Sequence, residues 1–388
     1  MTPTHVKLET YLTLRLVMGQ KHIAIVGAGK IGTMICRFLM SCGDYRITLI
    51  DASAEQLHRI PDEPGLEKRV LDVTDHDGFI QALEGHFAVL SATPYFMTEQ
   101  IAKAAVAAKV HYLDLTEDVA STACVKTLAE NAATALIPQC GLAPGFISIV
   151  ANDLAKNFDE LESIRMCVGA LPQFPSNSLN YNLTWSTDGV INEYCEPCVA
   201  IKDGQLVTVS ALEHLEHFSL DGINYESFNT SGGIGTLAET LAGRVKNLCY
   251  QTIRYPGHRD IMKTLLHDLQ LRNRRDLLKD VFENAVPATL QDVVLIFVTV
   301  SGRKQGQLIQ QTYANKVYGQ TIAGQAYSAI QVTTAASICA VLDMLAKGDI
   351  RSRGFVCQEE ISLDKFLGNR FGQYYGRTQP AEDIHHAA

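Results

Sequence analysis

His22-Ile-Ala-Ile-Val-Gly-Ala-Gly-Lys-Ile-Gly32, followed by Arg46-Ile-Thr-Leu-Ile-Asp51, decides the fold of this chain. An apolar strand runs into a glycine turn that opens a helix, and a second apolar strand ends on an acid. Each glycine has its own role: Gly27 permits the tight turn, Gly29 lets backbone approach a diphosphate, and Gly32 lets the helix lie close to the sheet. The free N–H groups at the helix start, around Lys30 and Ile31, and its positive dipole end then face the phosphates. Asp51 lies 22 residues beyond Gly29, where its carboxylate accepts hydrogen bonds from a ribose hydroxyl pair. That carboxylate repels a 2′-phosphate, and Ala52 and Ser53 offer no arginine to hold one. NAD is therefore expected, with NADP the less favoured cofactor.

Outward from this unit, strand patterns near 22–27, 46–51, 68–72, 87–92, 110–115 and 134–138 alternate with helical patterns at 30–41, 53–59, 75–83, 95–108 and 117–132. Such alternation builds a parallel sheet with helices on both faces. The fold class expected is α/β, a Rossmann-type doubly wound sheet over 21–150. Ligands bind outside the carboxyl ends of such strands. Asp72 and Val73 end the third strand, where the adenine is expected, although Asp72 suits a helix cap or turn equally well. The small-residue turn Ala92-Thr-Pro-Tyr95 lets the ribose and phosphates pass, so Thr93, Pro94, Tyr95, Thr116 and Glu117 share one rim.

After about residue 155 the pattern changes. Strands are expected at 162–170, 181–186, 199–210 and 223–229, then helices at 233–249 and 257–285. Asp292–Ser301 and Gln307–Lys316 flank Gly302-Arg-Lys-Gln-Gly306 and read as a hairpin. A second α+β domain of mostly antiparallel strands, 151–324, fits this order. Ala326–Leu345 reads as a buried helix returning the chain to the first domain, completed by 325–360. Gln331, Thr333, Thr334, Ser337 and Asp343 interrupt it too often for a membrane span. Residues 1–20 read as an N-terminal extension and 361–388 as a C-terminal tail.

Composition narrows the function. A chain of 388 residues, 47% of them apolar, has material for two cores. A net charge of −9 disfavours nucleic acid and anionic membrane as partners, because both attract clustered Lys and Arg. The ten cysteines are scattered, and Cys195-Glu-Pro-Cys198 has no second pair or histidine cluster to complete a zinc site. Free thiols in a reducing cytoplasm are the plainer reading. No histidine spacing suggests a catalytic metal.

Several stretches together resemble the saccharopine dehydrogenase family, and within it the lysine 6-dehydrogenase branch. They are Gly27–Gly32, Ala92–Tyr95, His111-Tyr-Leu-Asp-Leu-Thr116 and Gln139-Cys-Gly-Leu-Ala-Pro-Gly145. Thr184-Trp-Ser-Thr-Asp-Gly189 running into Ile191-Asn-Glu-Tyr194, Phe228-Asn-Thr-Ser231 and Arg254-Tyr-Pro-Gly-His258 complete the set. The resemblance spans about residues 22 to 346. It implies NAD-dependent oxidation of a carbon bearing an amine, with L-lysine converted to its 6-semialdehyde. A small amino acid or amine is then the partner, in a cytoplasmic homodimer.

An aliphatic ammonium has a pKa near ~10 and must lose its proton before it can release a hydride. The site therefore needs a base and a group to steady the iminium cation, and carboxylates can do both. Asp114 and Glu117, with Tyr95 and His258, are the catalytic candidates. Gly141, Leu142 and Pro144 are expected along the nicotinamide. The substrate is expected to meet Asp188, Thr230, Ser231 and Arg254, the last pairing with a carboxylate. Ser231 and Asp188 depart from the residues usual at those places in the family. Two other readings stay open: a saccharopine-type or carboxynorspermidine-type enzyme acting on a secondary amine, or a nucleotide-binding sensor without turnover. A second arginine or lysine in the pocket would favour the secondary amine.

Overall fold

The structure, a computed structural model, describes residues 19–376. The N-terminal extension expected over 1–20 lies outside these except for its last two residues. Six strands, β1 (Lys21–Val26), β2 (Tyr45–Asp51), β3 (Leu66–Val70), β4 (Ala88–Ser91), β5 (His111–Asp114) and β6 (Ala135–Ile137), form one sheet with Gly354–Phe355. Their spatial order is β3-β2-β1-β4-β5-β6, all parallel, with Gly354–Phe355 added outside β6. This is the doubly wound order, and β1 and β4 meet where the winding reverses. Near-continuous apolar runs suit strands covered on both faces. Ile23, Ala24, Ile25 and Val26 of β1 are all buried, and each large aliphatic side chain contributes about 1.5–3 kcal/mol by leaving water.

The second sheet has the order Glu216–Leu220, Ile223–Asn229, Val245–Arg254, Glu160–Pro172, Asp292–Lys304, Gln307–Tyr318, with the hairpin Cys198–Lys202/Gln205–Val209 attached to Val245–Arg254. Every pairing is antiparallel except Val245–Arg254 with Glu160–Pro172. The chain is thus α/β with a second, mixed domain.

Four expectations in this half fail. The strand expected over 199–210 is two, Cys198–Lys202 and Gln205–Val209, folded back on each other where Asp203 and Gly204 take positive φ. Residues 233–249 are not one helix: Leu237–Leu241 is a short helix, Gly243 takes a positive φ of 72°, and Val245–Arg254 is a strand inside the sheet. The helix expected over 257–285 is broken into His258–Lys263, Thr264–Asp268 and Arg275–Ala285, with Gln270 in the left-handed region at the break. Residues 181–186 form no strand beyond a bridge from Leu183 to Ala288; Ser186 instead caps the helix Thr187–Cys195 through the N–H of Gly189.

The returning helix runs Ala329–Lys347, is almost wholly buried, and packs along the first Rossmann helix, Lys30–Ser41. Ser328 caps it with Gln331 in a reciprocal capping box. Residues 361–376, expected within the tail, are folded onto it. Phe366, Phe371 and Tyr375 are buried, and the Tyr375 hydroxyl donates to the carbonyl of Thr333 (2.8 Å). Asp343 gathers Tyr45 from β2, Lys347, Asn369 and Arg370, tying this segment to the sheet. The apolar strand Asp292–Lys304 lies between two other strands with Val294, Ile296, Val298 and Val300 buried, so it is core.

Candidate active site

The carboxyl ends of the parallel strands and one face of the second sheet enclose a cavity of 570 Å³. From the Rossmann side it is lined by Gly29, Lys30 and Ile31, by Ala92–Tyr95, by Leu115–Glu117 and by Gly141–Pro144. From the other side come Val168, Ala170, Tyr250, Thr252 and Arg254 of the sheet, Thr184–Gly189, and Glu193. Sequence reasoning therefore brought together ten of its cofactor residues here: Gly29, Lys30, Ile31, Ala92, Thr93, Pro94, Thr116, Gly141, Leu142 and Pro144. Tyr95, Glu117, Asp188 and Arg254 join them.

The three fingerprint glycines separate by what surrounds them. A β-carbon on Gly27 (φ 100°) would stand 2.6 Å from the carbonyl oxygen of Ala92, and one on Gly32 would collide with the carbonyl of Gly27. These two hold the turn against β4 and the helix against the turn, and they do not line the cavity. A β-carbon on Gly29 would meet nothing within 4 Å. The open side of Gly29, beside the N-terminus of Lys30–Ser41, is the cradle a dinucleotide diphosphate requires. Asp51 ends β2 farther along the same edge; its carboxylate accepts from the N–H groups of Ala28 (2.7 Å) and Ser53 (2.8 Å). It thereby shapes the glycine turn as well as offering charge to a ribose. The fit to a pyridine dinucleotide is good.

Asp72 and Val73 do not line this cavity. Asp72 is exposed and accepts from the N–H of Thr74, closing a turn, while the Val73 side chain is buried in the core beneath the sheet.

Asp114 does not line the cavity either. It is buried, and its carboxylate is held by the Tyr112 hydroxyl (2.7 Å) and the N–H groups of Thr116 (3.0 Å) and Gln139 (2.8 Å). Burial pushes it up to about 6 despite these donors. Its task is to pin the Thr116–Glu117 rim to the Gly141 turn. Asp118 caps the helix Val119–Ala129 through Ser121.

Glu117 does face the cavity. Burial pushes its carboxyl up to about 7, with Asp118, Asp114 and Asp188 adding like charge. Burial also raises the Tyr95 phenol, which acts as a donor at neutral pH.

Arg254 is buried at the end of its strand. Its Nε donates to the Tyr194 hydroxyl (2.9 Å), its Nη1 to the carbonyl of Ile253 (2.8 Å), and the Tyr181 ring lies 5.2 Å from the guanidinium carbon. His258 is held away from the cavity. Its Nε2 meets the Tyr194 hydroxyl (3.0 Å) and its Nδ1 the carbonyl of Leu179 (2.8 Å). With Nδ1 donating, Nε2 must accept. Burial first, then Arg254, lowers its pKa to about 3. A neutral imidazole with both nitrogens engaged is no proton relay; it orients Tyr194, which orients Arg254.

Thr230 and Ser231 also miss the cavity. The Ser231 hydroxyl donates to the carbonyl of Pro197 (2.8 Å), and its N–H to the carbonyl of Glu193. This braces the helix Thr187–Cys195 from behind. On that helix Asp188 is paired with Lys279 (2.7 Å) at the cavity edge.

Glu193 is the group sequence reasoning passed over. It is 6% exposed and lines the cavity; burial first, then Glu117, pushes it up to about 8. It stands one turn beyond Gly189, and residues four apart share a helix face. The signal was an acid among Val190, Ile191 and Tyr194, a buried stripe unreadable until the helix itself was recognised.

Among the described residues, no group of three or more His, Cys, Asp or Glu side chains is arranged to hold a metal ion. Fold and site together define a two-domain architecture with a dinucleotide-binding cradle. The model for the saccharopine dehydrogenase NADP-binding domain matches residues 23–139, and that for the saccharopine dehydrogenase C-terminal domain matches 141–371. The chain belongs to the saccharopine dehydrogenase family.

Its relatives include the mitochondrial alpha-aminoadipic semialdehyde synthase of Bos taurus, 22% identical over 79% of this chain and 34% of that protein. Another is the Saccharomyces cerevisiae saccharopine dehydrogenase [NADP(+), L-glutamate-forming], 24% identical over 63% of this chain and 57% of the relative. The chain thus spans about a third to just over half of these curated relatives. The solved structure of apo saccharopine dehydrogenase (L-Glu forming) from Saccharomyces cerevisiae superposes with a TM-score of 0.75 at 16% identity, covering 90% of this chain and 97% of that one, and shares the fold.

Proposed function

We propose that this protein is a pyridine-nucleotide-dependent dehydrogenase that oxidises the side-chain amine of a basic amino acid, with L-lysine the substrate of best fit and NAD the preferred cofactor. The observation that carries this reading is the charge of the cavity. Its lining holds four acids, Glu117, Asp188, Glu193 and Glu283, against two cations, Lys30 and Arg254, with Asp188 already paired to Lys279 at the edge. Lys30 belongs to the glycine turn, so Arg254 is the cation lining the substrate half among the described residues. Glu117 and Glu193, raised towards neutrality by burial, ionise readily beside a cationic ligand, and with one guanidinium they suit a molecule with one carboxylate and more than one amine. This set disfavours a secondary-amine substrate carrying several carboxylates, which the names of the relatives would suggest.

In this reading Arg254 takes the carboxylate. Glu117, on the rim beside Thr116 and Gly141, accepts a proton from the reacting ammonium, and its raised affinity for that proton suits a base working near neutrality. The bound dinucleotide supplies the acceptor for the hydride that leaves the amine-bearing carbon. Water adds to the resulting imine, and ammonia departs to leave the aldehyde.

Asp51 supports NAD, since a fixed carboxylate at the end of β2 opposes a 2′-phosphate; the family model's description names NADP. Absorbance of the reduced nicotinamide, followed with each dinucleotide against L-lysine, ornithine, cadaverine and saccharopine, tests both points. Turnover of saccharopine but not L-lysine would overturn the reading.

A further inference from the structure

Glu193 and Arg254 are buried to 6% and 2% exposure, line the same cavity, and feel one another's charge, yet form no direct ion pair. No hydrogen bond to a described residue engages the Glu193 carboxylate. On Arg254, Nε and Nη1 are committed to Tyr194 and Ile253, and Nη2 has no such partner. Such groups, largely desolvated and facing a cavity without a protein partner, bind strongly to a ligand that carries the complementary charge. A carboxyl and a guanidinium that line one chamber without pairing to each other suit a molecule carrying both an ammonium and a carboxylate.

We infer that Glu193 and Arg254 form a clamp for the zwitterionic end of a free α-amino acid, Glu193 taking the α-ammonium and Arg254 the α-carboxylate. The inference rests on the reading of the cavity as a basic amino acid site and deepens it. It assigns Glu193 the discrimination between amino acids and other amines, and leaves Glu117 to the reacting nitrogen. Several features build the clamp into the fold. Glu193 is fixed by a helix capped at Ser186 and braced through its own carbonyl by the N–H of Ser231. Arg254 is fixed through Tyr194, the next residue on that helix, and Tyr194 through His258. Both jaws therefore hang from the helix Thr187–Cys195.

The test compares L-lysine with ε-aminocaproate, which keeps the carboxylate and the distal amine but lacks the α-ammonium. Affinities are measured by calorimetry with the reduced dinucleotide present, so that no hydride transfer consumes the ligand, in the wild type, Glu193→Gln and Glu193→Asp. The wild type should prefer L-lysine by about ten- to hundredfold, the worth of one hydrogen bond to a buried charge. That preference should collapse in Glu193→Gln and survive in part in Glu193→Asp, which keeps the carboxylate. A wild type that binds both ligands alike, or fails to bind L-lysine, overturns the clamp even if neither variant folds. So does a Glu193→Gln enzyme that keeps the preference. Binding preference without dinucleotide reduction would leave the clamp standing and remove the proposed reaction. Lysine turnover with a preference indifferent to Glu193 would do the reverse.

Discussion

The Oε1 atom of Glu117 lies against Gly189: a β-carbon at that glycine would stand 3.2 Å from it, and would strike the Trp185 ring as well. A loop at the end of a Rossmann strand thus meets the helix of the second domain through a glycine. Glu193 follows one turn later on the same face, so the two raised carboxyls, Glu117 and Glu193, belong to one acidic patch shared by both domains.

Because Glu117 is pushed up to about 7, activity should depend on its ionisation. As a base it must be unprotonated, so kcat/KM should rise with pH through about 7. Glu117→Gln should lower kcat by roughly 10²–10⁴-fold and abolish that limb of the profile. Steady-state kinetics from pH 5.5 to 9, at saturating dinucleotide, decide it.

The same shift carries a stability cost. A carboxyl whose folded pKa is raised binds its proton more tightly in the native state, so stability is greatest below about 4.5 and is lost as pH rises through about 7. Glu117→Gln should therefore melt a few degrees above the wild type at pH 8, roughly 2–4 °C per kcal/mol recovered, and near it at pH 4.5. Scanning calorimetry at the two pH values checks the sign.

Gly29 and Gly32 should fail in different ways. Gly32→Ala forces a β-carbon into the Gly27 carbonyl and should destabilise the Rossmann domain. Gly29→Ala meets no protein atom and should melt with the wild type while binding the dinucleotide much more weakly. Melting temperatures and dinucleotide affinities of the two variants provide the comparison.

Tyr194→Phe removes the hydroxyl between Arg254 and His258 and leaves both with a buried unpaired nitrogen. A loss of about 1–3 kcal/mol in stability is expected, with KM for the amino acid raised more than kcat is lowered. An unchanged KM would mean that Arg254 does not depend on Tyr194 for its aim.

The dinucleotide half was legible in the sequence because its signals are local. Strand, glycine turn, helix and terminal acid occupy about thirty residues, and all six strands lie within two residues of their expected bounds. The second domain was less so. Val245–Arg254 follows a short helix with no clear punctuation except Gly243, and it is a strand only because Glu160–Pro172 and Ile223–Asn229 flank it. Site residues failed for a similar reason. Asp114, His258 and Ser231 are polar residues in motif-like stretches, but each spends its hydrogen bonds on holding a neighbour. Glu193 sits in a quoted stretch, yet its role depends on a helix and a buried cavity wall that spacing alone does not reveal.

If the ionisable groups of the cavity select the substrate, one assay reports it directly: initial rates of dinucleotide reduction with L-lysine and with saccharopine, each supplied with NAD and with NADP. L-lysine should turn over with NAD favoured, and saccharopine little or not at all. Rapid oxidation of saccharopine with L-lysine inert would contradict this.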